Sequence, residues 1–365
     1  MKSLKKLMLM ALGCMLVIGC TKDPVEPDTP ILPGDDSDST AFVDKAWVLN
    51  EGTWSKNNAG VSFLDVKQGA IDNNCFKEQN GRGLGDVAQD LIVYGSKLYV
   101  TVWNSNTVEV INAKTGKSIK QISFASKGPR EFAVSGGKVY VSCYDETVVR
   151  IDTVSLEIDG TCAVDGFRPE GMCVLGDKLY VTHSWRPAEN GASIYDSTLS
   201  VVDIPTFTEE RKLNVGVNPF SLIAYDDNHI IVGYWGDQQY RSEKVSGIEL
   251  LDVNSGECRM LKEGGISKFD YYQDYVYGFD FSYATYEMTF WKVNVTTGEE
   301  TEILQNRGVK MKTPYGIKVN PKNGDIYVTD SQEFRSKGDV HCFSATGEHK
   351  WSVEAGMGPS KIVLL

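Results

Sequence analysis

Three recurring columns of residues predict an all-β fold, a seven-bladed β-propeller whose first blade is closed by the C-terminal strand. The first column is an alternating element, Lys97-Leu98-Tyr99-Val100-Thr101, with relatives at Lys138-Val139-Tyr140-Val141-Ser142, Lys178-Leu179-Tyr180-Val181-Thr182, His229-Ile230-Ile231-Val232-Gly233, Tyr275-Val276-Tyr277-Gly278-Phe279 and Asp325-Ile326-Tyr327-Val328-Thr329. The second follows about ten residues later, as in Val110-Ile111-Asn112 and Arg150-Ile151-Asp152. The third opens an apolar strand, usually with Pro, at residues 88, 129, 169, 219, 266, 314 and 359, and its successive spacings are 41, 40, 50, 47, 48 and 45. Repeats of this length made of four short strands are propeller blades.

Each column has its own physical reason. The first is β-branched and aromatic and is preceded by tight polar turns such as Gly95-Ser96 and Gly136-Gly137, the pattern of a hairpin. Ala46-Trp47-Val48-Leu49-Asn50 is a degenerate seventh copy. The Asp or Asn that ends the second column invites a reading as metal or catalytic carboxylates. A short acceptor entering a turn satisfies that turn's own N–H groups, so the column is expected to cap turns instead. In the third column the copy at Pro359 ends the chain after one strand, while the first blade begins at its second strand near Trp47. The C-terminal strand is therefore expected to be the innermost strand of blade 1, which closes the ring without an open edge. Residues 42–365 are then one domain, and this settles whether the 365 residues form one unit or two.

Ahead of that domain, Lys2, Lys5 and Lys6 precede an apolar run ending at Cys20, which reads as an export signal over residues 1–19. The run is too short for a comfortable membrane span. The small residue before Cys20 resembles the lipobox of bacterial lipoproteins, which implies cleavage before Cys20 and its acylation. Residues 20–41 are rich in Pro, Asp, Ser and Thr, with too little apolar surface to order themselves, and read as a tether. Thr21-Lys22-Asp23 loosely resembles the signal that sends lipoproteins of the Bacteroides group to the cell surface; Pro24 stands where a second acid is usual.

The formal net charge of −12 makes nucleic acid and anionic lipid surfaces poor partners. Six of the acids lie in residues 23–38, so the charge says less about the folded part. Only four histidines are present, little material for His-based catalysis or a His-rich metal site. No zincin, nucleophile-elbow or Walker motif occurs, and Gly81-Arg82-Gly83-Leu84-Gly85 is not a dinucleotide fingerprint. Cys143, Cys173 and Cys342 sit among apolar neighbours and read as small hydrophobes. Asp145, Glu170, Asp237, Asp280 and Asp330 are expected on the loop-bearing face and offer material for acid–base work, but no two of them are paired by sequence.

With strands A to D running from hub to rim, the B–C and D–A loops share one face. The B–C loops are long and individual in the second half of the chain, and binding residues collect on such loops. Trp103, Tyr144, Trp235 and Phe281 fall at one repeat position just past strand B, with Trp54 and Trp185 slightly later in their own blades. Glu51, Ser184 and Ser331 share the column. Wedging between blades is the alternative use of these aromatics. The residue after each D–A Pro differs in every blade: Arg130, Glu170, Phe220, Tyr315 and Ser360.

Together the strand motifs resemble those of the YncE-like, or surface-layer-type, propellers over residues 42–365. Combined with the Cys20 lipobox, they resemble the BtuG-type surface lipoproteins of gut Bacteroides. The resemblance implies capture of cobalamin (vitamin B12) or related corrinoids at the outer membrane, with no cofactor of the protein's own, no catalysis, and transfer to a TonB-dependent transporter of the BtuB type. A corrinoid is a broad apolar ring fringed by amides. It asks for flat aromatics, here Trp103, Tyr144, Trp185, Phe220, Trp235 and Tyr315, with Arg130, Glu170, Arg186, Gln238 and Tyr240 as polar partners. His183 is expected to be an ordinary strand-end residue and not a cobalt ligand. A glycan-binding propeller and a propeller hydrolase or lyase remain open as alternatives.

Overall fold

The computed structural model describes residues 44–237, 246–305 and 308–365. The signal and tether segments with Cys20, and the loop residues Gln238 and Tyr240, lie outside the described residues. Seven four-stranded antiparallel sheets follow one another along the chain, one per repeat. Blade 2 shows the pattern: strand A is Ala88–Tyr94, B is Lys97–Val102, C is Thr107–Asn112 and D is Ser118–Ser123. Blade 1 joins Pro359–Leu364 to Lys45–Asn50, with Ile362 opposite Val48, so the C-terminal strand does supply its inner strand.

After its half-buried first residue the strand B motif is buried in most blades, because each blade is covered on both faces by its neighbours. Leu98, Tyr99, Val100, Thr101 and Val102 are all inaccessible. Alternate residues serve different interfaces. Leu98 packs with blade 1 residues such as Trp47, whereas Tyr99 packs with Phe132 and Val141 of blade 3. Tyr140, Tyr180 and Tyr327 reach the following blade in the same way. The described apolar core falls into clusters that each join two adjacent blades.

The Asp/Asn column caps turns, as expected. Asn112 Oδ1 accepts from Lys114 N at 2.9 Å and Thr115 N at 3.0 Å, and Asp152 Oδ1 accepts from Val154 N at 3.0 Å and Ser155 N at 2.8 Å. The cysteines described are unpaired, and all but Cys258 are buried. Two features were not anticipated: a short helix, Cys75–Asn80, between blades 1 and 2, and a small hairpin, Trp185–Pro187 with Ser193–Tyr195, rising from the B–C loop of blade 4.

The start of strand A matters most for the loop face. In blade 3, Pro129 pairs with Cys143 but Phe132 pairs with Val141, so two residues, Arg130 and Glu131, oppose the single Ser142. The same bulge opens strand A of blades 1, 2, 4, 5 and 7. A bulge releases a backbone N–H, and in blades 2 and 3 the last residue of the strand B motif takes it. Thr101 Oγ1 accepts from Asp90 N at 2.9 Å and donates to Arg130 O of the next blade at 2.6 Å. Ser142 Oγ likewise accepts from Glu131 N at 3.0 Å and donates to Glu170 O at 2.7 Å. Each hydroxyl thus joins two blades next to the hub.

Thr182 occupies the same column, but its buried Oγ1 has no partner. Thr101→Val should therefore cost about 1–3 kcal/mol, because it orphans a buried N–H and a buried carbonyl. Thr182→Val should be neutral or slightly stabilising. Urea midpoints at constant m-value check both; equal costs at the two positions would contradict this assignment.

Candidate ligand-binding face

Bulged residues build two layers at the hub. The second residue of each bulge supplies Asp90, Glu131 and Lys361, with Gly171, Ser221 and Gly316 in the other bulged blades, and blade 6, whose strand A pairs without a register shift, opens on Lys268. The two glycines are there for packing: a Cβ on Gly171 would lie 2.6 Å from Phe220 O, and one on Gly316 would lie 2.1 Å from Ser360 O. Lys361 Nζ binds Asp90 Oδ1 across the blade 1–blade 2 junction, and Asp90 Oδ2 accepts from Phe132 N of blade 3 at 2.9 Å. Lys361 keeps 46% of its side-chain surface exposed, so the hub is open to solvent at this level.

Burial pushes the Glu131 carboxyl up to about 7, and nearby Asp90 pushes in the same direction, against the pull of Lys361 and Lys268. Partial loss of water at the hub opposes the charge on Lys361, but Asp90 and Glu131 outweigh it and hold the ammonium above the ordinary lysine range. The ring therefore carries a carboxyl that titrates near neutrality beside Asp90, Lys268 and Lys361.

Above this ring lie the first residues of the bulges. Arg130 donates from Nε to Glu170 Oε2 at 2.9 Å, from Nη2 to Glu170 Oε1 at 3.2 Å, and from Nη1 to Gln89 Oε1. Tyr144 OH donates to the same Glu170 Oε1. Glu170 is thus a buried, fully engaged carboxylate that fixes Arg130 and Tyr144. Across the mouth, Tyr315 OH donates to Glu51 Oε2 at 2.6 Å. Burial raises the Glu51 carboxyl, although the Tyr315 hydrogen bond and Arg130 favour its charged form.

Over these polar groups runs a row of aromatic rings and cations. Trp54 and Trp103 have ring centroids 5.1 Å apart, and Trp103 meets Tyr144 edge-on at 6.0 Å. The Arg130 guanidinium lies 4.4 Å from the Tyr144 centroid and 5.8 Å from that of Trp103. Arg168 stands 5.2 Å from Tyr144 and 4.0 Å from Trp185. The row spans blades 1 to 4, from the exposed Trp54 to half-buried Trp103, Tyr144 and Trp185. On the other side, Trp235 stacks on Phe220 at 4.2 Å and 9°, with Lys268 Nζ 5.6 to 5.7 Å from both rings. Tyr315 meets Phe334 edge-on at 4.9 Å, and Tyr283, 62% exposed, stands on the buried Phe281 at 4.8 Å.

Most of the sequence-derived residues thus converge, though not all in the expected role. Trp103, Arg130, Tyr144, Trp185, Trp235 and Tyr315 line the mouth. Phe220 is buried beneath Trp235 and against Phe269, so it is a support for a ring and not an open platform. Phe281 is buried in the interface with blade 7. Arg186 extends over Phe167 at 4.4 Å, on the exposed hairpin. Wedging and display coexist: Trp235 packs on the blade 5–blade 6 core, and its Nε1 donates to Ser267 O at 3.5 Å. His183 is an interior residue: its Nε2 lies 2.6 Å from Ser200 Oγ, the ring presses on Gly166, and burial lowers its pKa to about 4. Sequence reasoning did not single out Arg168, Gln89 or Lys268. Gln89 opens the bulge of blade 2, which lacks the Pro, and Lys268 opens the strand A of blade 6, so repeat alignment would have found both; Arg168, directly before Pro169, lies outside the repeated column.

With this geometry in hand, likenesses to known proteins can be placed. A family model described as a domain of unknown function (DUF5074) matches residues 44–186, which run from blade 1 into the hairpin of blade 4. A quinoprotein alcohol dehydrogenase-like protein from Bacteroides thetaiotaomicron superposes with a TM-score of 0.63 at 15% identity, over 88% of this chain and 78% of that one. Hydrazine synthase from Kuenenia stuttgartiensis gives 0.58 at 18% identity, over 73% and 85%. A computationally designed protein, Ika8, gives 0.54 at 14% identity, over 86% and 88%. None of the curated proteins matches the sequence. The chain is a β-propeller. At these identities the likeness is one of fold.

The hub charge generates a pH prediction. Between about pH 4.5 and pH 7 the folded chain keeps the Glu131 proton that the unfolded chain has lost, so this residue's contribution to stability falls as pH rises through that window. Glu131→Gln cannot ionise. Its urea-derived stability should match wild type at pH 4 and exceed it by about 1–2 kcal/mol at pH 8, the figure allowing for screening by solvent in the hub. A variant less stable than wild type at pH 8 would show that Lys268 and Lys361 need this charge.

Proposed function

We propose that the loop face is a capture site for a large, flat ligand carrying amide groups, and that the ligand is cobalamin or a related corrinoid. The observation that carries this reading is the continuous row Trp54, Trp103, Tyr144 and Trp185 with Arg130 and Arg168 set between the rings. Such a row offers π faces and edges over a broad arc, not a deep pocket around one small group. Its polar groups already hold one another in place: Glu170 and Gln89 orient Arg130, so little order has to be gained when a rigid ligand arrives. A corrin ring can lie across the aromatics while its peripheral amides meet guanidinium N–H groups and the carboxylates of the opposite side.

Binding without catalysis is part of the proposal. On this face Glu170 is engaged by Arg130 and Tyr144, and Asp330 accepts from Lys312 N at 2.7 Å and Thr313 N at 2.8 Å. Both carboxylates have structural partners, which suits a rigid receptor. The Cys20 lipobox and the tether of residues 20–41 support a place on the outer membrane, facing outward, with delivery to a TonB-dependent transporter of the BtuB type.

Protein mixed with cyanocobalamin and desalted should stay pink, and calorimetry should give about one ligand per chain. Trp103→Ala and Trp185→Ala should each weaken binding by about 5- to 30-fold, the range for truncating an anchoring aromatic. A colourless protein that releases no heat would overturn the corrinoid reading. Retardation in a polysaccharide affinity gel, lost in Trp185→Ala, would replace it with a saccharide. Separately, Cys20→Ser should abolish incorporation of labelled fatty acid and move the protein from the membrane to the soluble fraction; unchanged membrane retention would contradict acylation at Cys20.

A further inference from the structure

We infer that the loop end of blade 7 carries a divalent-cation site formed by Asp330, Asp339, His341 and the side-chain amide of Gln332. Strand B of this blade, Ile326–Asp330, ends directly opposite Asp339 of strand C, Lys337–Phe343, and His341 follows two residues later on the same face. One donor atom from each of the three residues lies within 4.8 Å of the others. Two carboxylates placed opposite each other repel unless something positive stands between them. Here Gln332 Nε2 stands there, donating to Asp330 Oδ2 at 3.0 Å and to Asp339 Oδ2 at 2.8 Å. The amide hydrogens occupy the place a cation would take.

His341 gives the independent indication. It is only 2% exposed, and its Nε2 has no hydrogen-bond partner. A buried ring nitrogen is costly to leave unpaired. Its Nδ1 lies 2.7 Å from Ser352 Oγ, and the same hydroxyl lies 2.7 Å from Nε2 of His349. Ser352 can therefore donate to His349 and accept from Nδ1–H of His341. That is the tautomer in which Nε2 presents a free lone pair, oriented by a bond to the other ring nitrogen as metal-bound histidines are.

A half-turn of the Gln332 amide replaces its NH₂ with Oε1, converting the group from a stand-in for the ion to one of its ligands. Asp330 keeps its bonds from Lys312 N, Thr313 N and Gln332 N, which hold the first carboxylate in position. One imidazole nitrogen with two carboxylates and an amide oxygen suits a transition-metal dication such as Zn²⁺ or Mn²⁺. The site also reaches the ligand face. Gln332, Glu333 and Phe334 have consecutive positive φ values of 49°, 60° and 55°, and Phe334 packs on Tyr315. An ion that fixes Gln332 fixes the segment that carries Phe334.

The test uses the folded chain dialysed against EDTA and titrated calorimetrically with ZnCl₂ and, separately, MnCl₂, with metal content measured after gel filtration. About one ion per chain is expected for at least one metal. His341→Gln and Asp339→Asn should each weaken that binding by about tenfold or more, since loss of even an outer-shell partner of a ligand costs that much. Gln332→Glu supplies a third carboxylate, so it should melt lower than wild type without metal, bind more tightly and recover its midpoint when metal is added. Failure of both metals to bind stoichiometrically would overturn the inference. So would stoichiometric binding that all three variants leave unchanged, which would place the ion elsewhere. No corrinoid enters this experiment, so its outcome is independent of the proposed capture function.

Discussion

Pro129 pairs with Cys143 and Phe132 with Val141, leaving Arg130 and Glu131 to share one partner, and on that one-residue bulge the arrangement of the whole loop face depends. An unbulged strand would send alternate side chains to opposite faces of the blade and bury them between neighbours. The bulge turns the first residue toward the mouth and the second toward the hub. It also frees an N–H that must be satisfied in a buried place, and Thr101 and Ser142 do so while binding the carbonyl of the next blade's bulge. In blades 2 and 3 the local defect and the contact between blades are thus one feature, and the bulge alone recurs in blades 1, 4, 5 and 7, giving two layers of side chains.

Within those layers, electrostatics decides what is fixed and what can respond. Arg130 and Glu170 are largely withdrawn from solvent yet make several charge-assisted hydrogen bonds to each other and to Tyr144 and Gln89. A pair of this kind contributes little net stability, since desolvation offsets attraction. Its consequence is geometric: the guanidinium face is held against Tyr144 and beside Trp103. Glu131, one residue along and facing the hub, has no such bidentate partner and titrates near neutrality instead.

The fold was legible in the sequence because strand B is buried on both faces and must be written in apolar and aromatic residues; Lys97 to Thr101 recurs for that reason. The D strands were not. Ser118–Ser123 and Thr208–Asn214 lie at the rim, mostly exposed, and carry almost no pattern. The turn-capping role of Asn112 and Asp152 followed from local chemistry, and the structure agrees. The loop face was legible as a set of positions and less so as a set of roles. Phe220 and Trp235 both read as flat aromatics of the loop face, yet one supports the other, and only packing distinguishes them. Arg168 escaped notice because its importance comes from two rings contributed by other segments, Tyr144 and Trp185. The Asp330, Asp339 and His341 grouping was likewise invisible, since it needs the register of two strands.

The proposed capture places a flat ligand on the face carrying the B–C and D–A loops, across the aromatic and cationic row of blades 1 to 4. A crystal structure of the protein grown with cyanocobalamin tests this most directly. Corrin density is expected over the hub mouth, in contact with Trp103, Tyr144 and Trp185 and within hydrogen-bonding reach of Arg130 or Arg168. Density on the opposite face, or a fully occupied crystal in which those three rings remain free of ligand, would contradict it.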